Sequence, residues 1–135
     1  MNFKFGKSSE EKLSTVKDDL ANVARKALEL SSIDFGITEG KRSEQKQKQL
    51  VAEGASKTMK SKHLTGHAID IVAYVDGGIT WELKYYEEIA QSFKKAKNDL
   101  DVQIRWGGNW SGYKTDDFKL DPNNKFIDAV HFELI

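Results

Sequence analysis

The chain has 135 residues, 39% of them hydrophobic and 31% charged, which suits one modest core rather than several domains. Its 21 basic residues balance 21 acidic ones, so neither nucleic acid nor an anionic membrane surface is the expected partner. It has no cysteine, which excludes disulfides, thiolate-bound metals, iron–sulfur clusters and thiol nucleophiles and leaves any metal to His, Asp and Glu.

The opening residues are polar and contain no segment like a signal peptide, and no apolar run is long enough to span a membrane. Residues 8–31 predict one amphipathic helix. Ser8 with Glu11 fits a capping box, and Leu13, Val16, Leu20, Val23, Ala24, Ala27 and Leu28 recur at helical spacing. Residues 33–38 alternate like a strand that delivers Gly40, Lys41 and Arg42 to its end. A weakly amphipathic helix is predicted over 43–53, followed by a flexible loop over 54–60. Between Lys41 and Lys62 seven basic residues face two acidic ones, which reads as a solvated face or as a bed for an anionic substrate.

Residues 68–75 predict a strand that turns through Asp76, Gly77 and Gly78 into 79–81. A helix over 82–99 follows, its buried stripe made of Leu83, Tyr86, Ile89, Ala90, Phe93 and Ala96. Residues 102–106 predict a strand that opens into a segment rich in glycine and aromatics. Residues 114–127 are irregular, and 128–135 alternate as the last strand. The expected fold is α+β: a single small domain over 1–135, with an antiparallel sheet, helices packed on one side and the functional site at the sheet.

Within 61–74 an apolar run is interrupted by Asp70, and a buried carboxylate needs a cation, a hydrogen-bond network or a metal to offset its charge. The only histidines are His63, His67 and His131. Strand alternation puts Asp70 on the face opposite His67, which favours a pairing of His63 with Asp70 and leaves His67 as the alternative ligand. His131 and Glu133 share one face of the last strand, and Asp128 stands at its entrance. Two histidines, one carboxylate and an open position is the pattern of a catalytic zinc, with a further carboxylate as general base. Spacing alone leaves open that these are ordinary polar residues.

The pattern Ser61-x-His63-x-x-Gly66-x-Ala68-x-Asp70, with Asp128-x-x-His131 downstream, resembles the zinc D-Ala-D-Ala carboxypeptidase and dipeptidase family. The opening residues 3–8, the helix around 23–30, Gly40-x-Arg42 and the closing His131-x-Glu133-Leu134 resemble its phage endolysin branch, the L-alanyl-D-glutamate peptidases. The resemblance implies a zinc ion held by His63, Asp70 and His131, Asp128 as catalytic carboxylate, and Arg42 steadying the oxyanion. It also implies Ser61 ordering the ligand loop or touching substrate, Glu133 holding a histidine tautomer or rivalling Asp128 as base, and Trp106 beside the substrate groove or in the core.

The activity so implied is hydrolysis of the L-alanyl-D-glutamate bond in peptidoglycan stem peptides for host lysis. Such an enzyme is expected to be a monomer made in the host cytoplasm without a signal peptide, reaching the wall after release. A bacterial D-Ala-D-Ala peptidase and a non-catalytic wall-binding module of the same fold are the rival readings.

Overall fold

The computed structural model describes residues 3–54, 61–123 and 127–135. Two long helices, α2 (Asp18–Leu30) and α4 (Leu83–Leu100), pack side by side on one face of an antiparallel sheet. Asp18 and Asp19 in the first turn of α2 favour its start, since acidic groups complement the positive end of a helix. The buried faces hold Leu20, Val23, Ala24, Ala27 and Leu28 from α2 and Tyr86, Ile89, Ala90, Phe93 and Ala96 from α4. Phe93 ties α4 to the sheet: its ring centroid lies 5.6 Å from Phe35 and 3.8 Å from Phe132.

The sheet order is β1-β2-β5-β4, with β1 at Asp34–Glu39, β2 at Ala68–Val75, β4 at Ile104–Trp106 and β5 at His131–Leu134. The short β3 (Gly78–Thr80) folds back on β2. Phe35, Ile37, Ile69, Ile71, Ile104, Trp106 and Phe132 belong to the core shared with the helices. The opposite face carries the charged groups. Asp70 lies across from Glu39 on one side and from His131 on the other. In the next row Glu133 lies across from Ala68 and from Arg105. Directly opposed residues share a face, so the polar row of Glu39, Asp70 and His131 runs beside a second one, polar at Glu133 and Arg105.

Glu39 reaches that face through a β-bulge. Simple alternation would put it with Phe35 and Ile37 in the core, but the register slips between Ile37, opposite Ile71, and Glu39, opposite Asp70. An extra residue in one strand re-aims the side chains that follow.

The predicted helix over 8–31 is instead two helices, α1 (Lys7–Leu13) and α2. The break has a physical cause in distant partners. Lys17 N–H donates to the Gly66 carbonyl at 2.9 Å, and Thr15 Oγ1 accepts from Lys41 N–H at 2.9 Å. A continuous helix would have spent the Lys17 N–H on the Leu13 carbonyl. The capping box is also absent: α1 starts after Gly6, and the Ser8 hydroxyl accepts from Lys12 Nζ at 2.8 Å. Short α3 (Glu44–Ala52) is capped by Ser43, whose side chain accepts from Lys46 N–H, and its one buried residue is Gln47. Most of the loop expected over 54–60 lies outside the described residues. Among the described residues no helix is long and apolar enough to cross a membrane.

Candidate metal centre

Asp70 is fixed at the middle of β2, and the site assembles around it. His63 comes from a short 3-10 helix, Lys62–Thr65, that starts where the Ser61 side chain accepts from His63 N–H. Gly66 ends that helix with φ +76°, the left-handed conformation that glycine takes at least cost. The turn lets the chain leave His63 and enter β2 within a few residues. His131 opens β5 opposite Asp70. One ligand atom from each of His63, Asp70 and His131 lies within 4.8 Å of the others.

The second nitrogen of each imidazole is already committed. His63 Nδ1 lies 2.9 Å from the Gly40 carbonyl oxygen, and its Nε2 lies 3.3 Å from Asp70 Oδ1. His131 Nε2 lies 2.8 Å from Glu133 Oε1, and its Nδ1 lies 3.1 Å from the same Asp70 oxygen. A carbonyl and a carboxylate can only accept, so His63 donates through Nδ1 and His131 through Nε2. In the neutral tautomers this leaves His63 Nε2 and His131 Nδ1 with lone pairs directed at the Asp70 carboxylate. Two such nitrogens and a carboxylate oxygen fit a divalent cation such as zinc, with the outer partners fixing ring orientation.

Charge in the site follows from the same contacts. Burial acts to raise the Asp70 pKa, but close pairing with the His131 and His63 imidazoles outweighs it and holds the carboxyl well below the usual range in the absence of a metal. Burial acts to lower His131, yet Asp70 and Glu133 raise it to about 9. Glu133, opposed by burial, is drawn down to about 2 by His131 and Arg105. Both its oxygens are occupied: Oε1 by His131, Oε2 by Arg105 Nε at 2.8 Å and by Lys62 Nζ at 3.3 Å. That engagement makes Glu133 a support for His131 and a poor general base.

Asp128 sits outside β5, in the turn before it, and is exposed. Though the residue is exposed, partial shielding of its carboxyl raises its pKa, Asp70 raises it further, and His131, His63 and Arg42 oppose the rise. A carboxylate near the cluster, accessible and with an elevated pKa, has the properties of a proton acceptor. Its backbone is held by Gly107, whose carbonyl accepts from Asp128 N–H and whose N–H donates to the His131 carbonyl, both at 2.8 Å. Only glycine fits there: a Cβ on Gly107 would lie 2.1 Å from the Asp128 carbonyl oxygen.

Arg42 is clamped from two sides. Its Nε and Nη2 donate to the two Glu39 carboxylate oxygens at 2.5 and 2.8 Å, and Nη1 donates to Gln47 Oε1 at 2.6 Å. The bonds to Glu39 are the main reason its pKa is raised, and Asp70 and Asp128 add to it. Its backbone N–H also donates to the His63 carbonyl at 2.8 Å. Among the described residues three of its five guanidinium N–H groups are used, which leaves two for a further acceptor.

Trp106 does not line a groove. It is wholly buried, with Nε1 donating to the Ala129 carbonyl at 2.7 Å. Strand alternation turns it to the core face, opposite Arg105. Trp110 takes the border position instead, its ring 5.5 Å from that of His131. His67 stands apart from the cluster, with Nδ1 2.6 Å from the Thr65 hydroxyl. Sequence reasoning missed the holders of the site: Gly40, Glu39, Gln47, Lys62 and Arg105. Gly40 alone had a signal, as part of the Gly40-x-Arg42 pattern, though not as an acceptor for His63.

The profile of the family described as phage L-alanyl-D-glutamate peptidase matches residues 1–135. The chain is 40% identical, over a 139-residue alignment covering all of both proteins, to an L-alanyl-D-glutamate peptidase of Escherichia phage T5. An L-alanyl-D-glutamate peptidase of Listeria phage A118 is 34% identical over 99 residues, covering 71% of this chain and 34% of that protein. The crystal structure of the Serratia marcescens L-Ala D-Glu endopeptidase ChiX is similar with a TM-score of 0.84 at 36% identity, covering 99% of this chain and 91% of the other. This chain belongs to the phage L-alanyl-D-glutamate peptidase family.

Proposed function

We propose that this peptidase is a zinc enzyme, one domain over residues 1–135, that hydrolyses the L-alanyl-D-glutamate bond of peptidoglycan stem peptides as a monomeric phage lysis enzyme. The observation that carries the reading is the pair of imidazoles whose outer nitrogens are tied to Gly40 and Glu133 while their inner nitrogens converge on Asp70. His63, Asp70 and His131 would hold the ion. Zinc bound there supplies a Lewis acid and lowers the pKa of water to about 7.

The chain's own residues supply the rest. Asp128 takes a proton from the attacking water and returns it to the leaving amine of D-glutamate, a role its raised pKa suits. Arg42 aims its two remaining N–H groups at the carbonyl oxygen as negative charge grows on it, and it needs little reorganisation because Glu39 and Gln47 already fix it. Glu133 keeps His131 in one tautomer and one orientation. Ser61 holds the start of the loop that carries His63.

Digestion of purified cell wall followed by end-group analysis tests the assignment. New N-terminal D-glutamate is the expected product. Release of free D-alanine in its place would assign the D-Ala-D-Ala reaction, and no new termini would leave a wall-binding module.

A further inference from the structure

Arg105 lies on edge strand β4 in the polar row next to the cluster. Its Nε donates to Glu133 Oε2 at 2.8 Å, and the other oxygen of that carboxylate holds His131. A single carboxylate therefore separates the Arg105 guanidinium from a ligand of the proposed metal. Aromatic rings flank it: its Cζ lies 5.6 Å from the Trp110 ring centroid and 5.7 Å from that of Tyr113. Trp110 in turn adjoins His131. The side chain keeps 33% of its accessible surface, and its terminal nitrogens have no hydrogen-bond partner among the described residues.

The neighbouring cation differs. Lys62 Nζ is spent on the Leu134 carbonyl and on Glu133. Glu133 offsets one of the two positive charges, and Arg105, with one N–H on Glu133, keeps more free donors than the Lys62 ammonium. A guanidinium in this state, aligned by one carboxylate and walled by aromatics, is suited to a second carboxylate through paired N–H groups.

The proposed substrate carries such a group. A glutamyl residue has two carboxyl groups, and only one of them can continue the peptide. The other remains free on the residue that contributes the scissile nitrogen. Resting on the proposed function, we infer that Arg105 binds this free carboxylate and is a determinant of specificity for D-glutamate on the leaving side of the cleaved bond. Arg42 and Arg105 then work from opposite ends of the polar rows, one at the end of β1 on the reacting carbonyl and the other on β4 on the leaving residue.

Two substrates test this: an L-alanyl-D-glutamyl peptide with the free carboxyl intact, and the same peptide with that carboxyl converted to the amide. The parent protein should cleave the acid with a kcat/KM roughly tenfold or more above the amide, the scale of one charge-assisted pair near solvent. Arg105→Gln should bring that ratio close to one, mainly through a higher KM for the acid, and Arg105→Lys should recover part of the preference. Bound zinc, counted in each variant, should stay at the parental level.

Equal cleavage of acid and amide by the parent overturns the inference without any variant. So does an Arg105→Gln protein that slows on both substrates by the same factor, which would make Arg105 only a support for Glu133. Failure of the parent to cleave either peptide or cell wall would instead remove the proposed function beneath it.

Discussion

Gln47 offers the sharpest check on how the oxyanion donor is aimed. It is fully buried, the one buried residue of α3, and its side-chain oxygen accepts from Arg42 Nη1 at 2.6 Å. The other two bonds of Arg42 both end on Glu39 and lie along the Nε–Nη2 edge of the guanidinium. Replacing Gln47 with Met keeps the volume and removes the acceptor, which lets the guanidinium pivot about Glu39. Complete removal of an oxyanion donor lowers kcat by about 10²–10³, and misplacement by about an ångström is costly as well. With two of three bonds retained, kcat for an L-alanyl-D-glutamyl peptide should fall roughly tenfold while KM stays within roughly twofold, because the lost alignment matters in the transition state. Stability should also fall, by about 1.5–3 kcal/mol for a buried bond to a charged group. Gln47→Glu retains an acceptor oxygen and should restore most of kcat. Steady-state kinetics beside denaturant unfolding separate the two effects. A Gln47→Met protein that unfolds more easily yet keeps its kcat would refute the clamp.

Asp128→Asn should lower kcat by about 10²–10⁴, the usual contribution of a positioned acid–base group, with bound zinc unchanged by elemental analysis; parental activity in that variant would move the base elsewhere. His131→Ala should lose zinc and His67→Ala should keep it, read by the same analysis, since His67 is turned to Thr65. Gly107→Ala should abolish wall digestion in a folded protein, because its Cβ cannot coexist with the Asp128 carbonyl 2.1 Å away. Acid should weaken the fold through Asp116, whose pKa is lowered because Lys97 and Asn98 outweigh the effect of burial. Its folded pKa lies below the unfolded one, so its stabilisation is present above about pH 4 and is lost as pH falls further. In Lys97→Met, denaturant midpoints should fall less steeply through that window than in the parent.

The long elements were legible because their signals are local. α2 and α4 each keep one apolar stripe over several turns, and period-two alternation marked β2 and set Asp70 on the face away from His67. The helix break was hidden because Val16 continues the helical spacing while residues 14–17 are held by Gly66 and Lys41, partners far along the chain. Glu39 was hidden for a related reason: its alternation with Phe35 and Ile37 points inward, and only pairing with β2 displays the bulge. At the site, the residue types and the family pattern pointed to His63, Asp70 and His131, which the fold brings together. The groups that hold them are backbone carbonyls, such as that of Gly40, whose role no residue type reveals, or polar residues without a motif, such as Gln47. Trp106 stayed open between groove and core because its glycine-rich surroundings suggested a groove, and β4 alternation turns it into the core.

The central claim is that cleavage of the L-alanyl-D-glutamate bond depends on zinc held by His63, Asp70 and His131. The most direct measurement is end-group analysis of cell wall treated with chelator-stripped protein, before and after one equivalent of zinc is restored. New N-terminal D-glutamate should appear only after zinc returns. Its appearance at the full rate from protein verified to be free of metal would contradict the account.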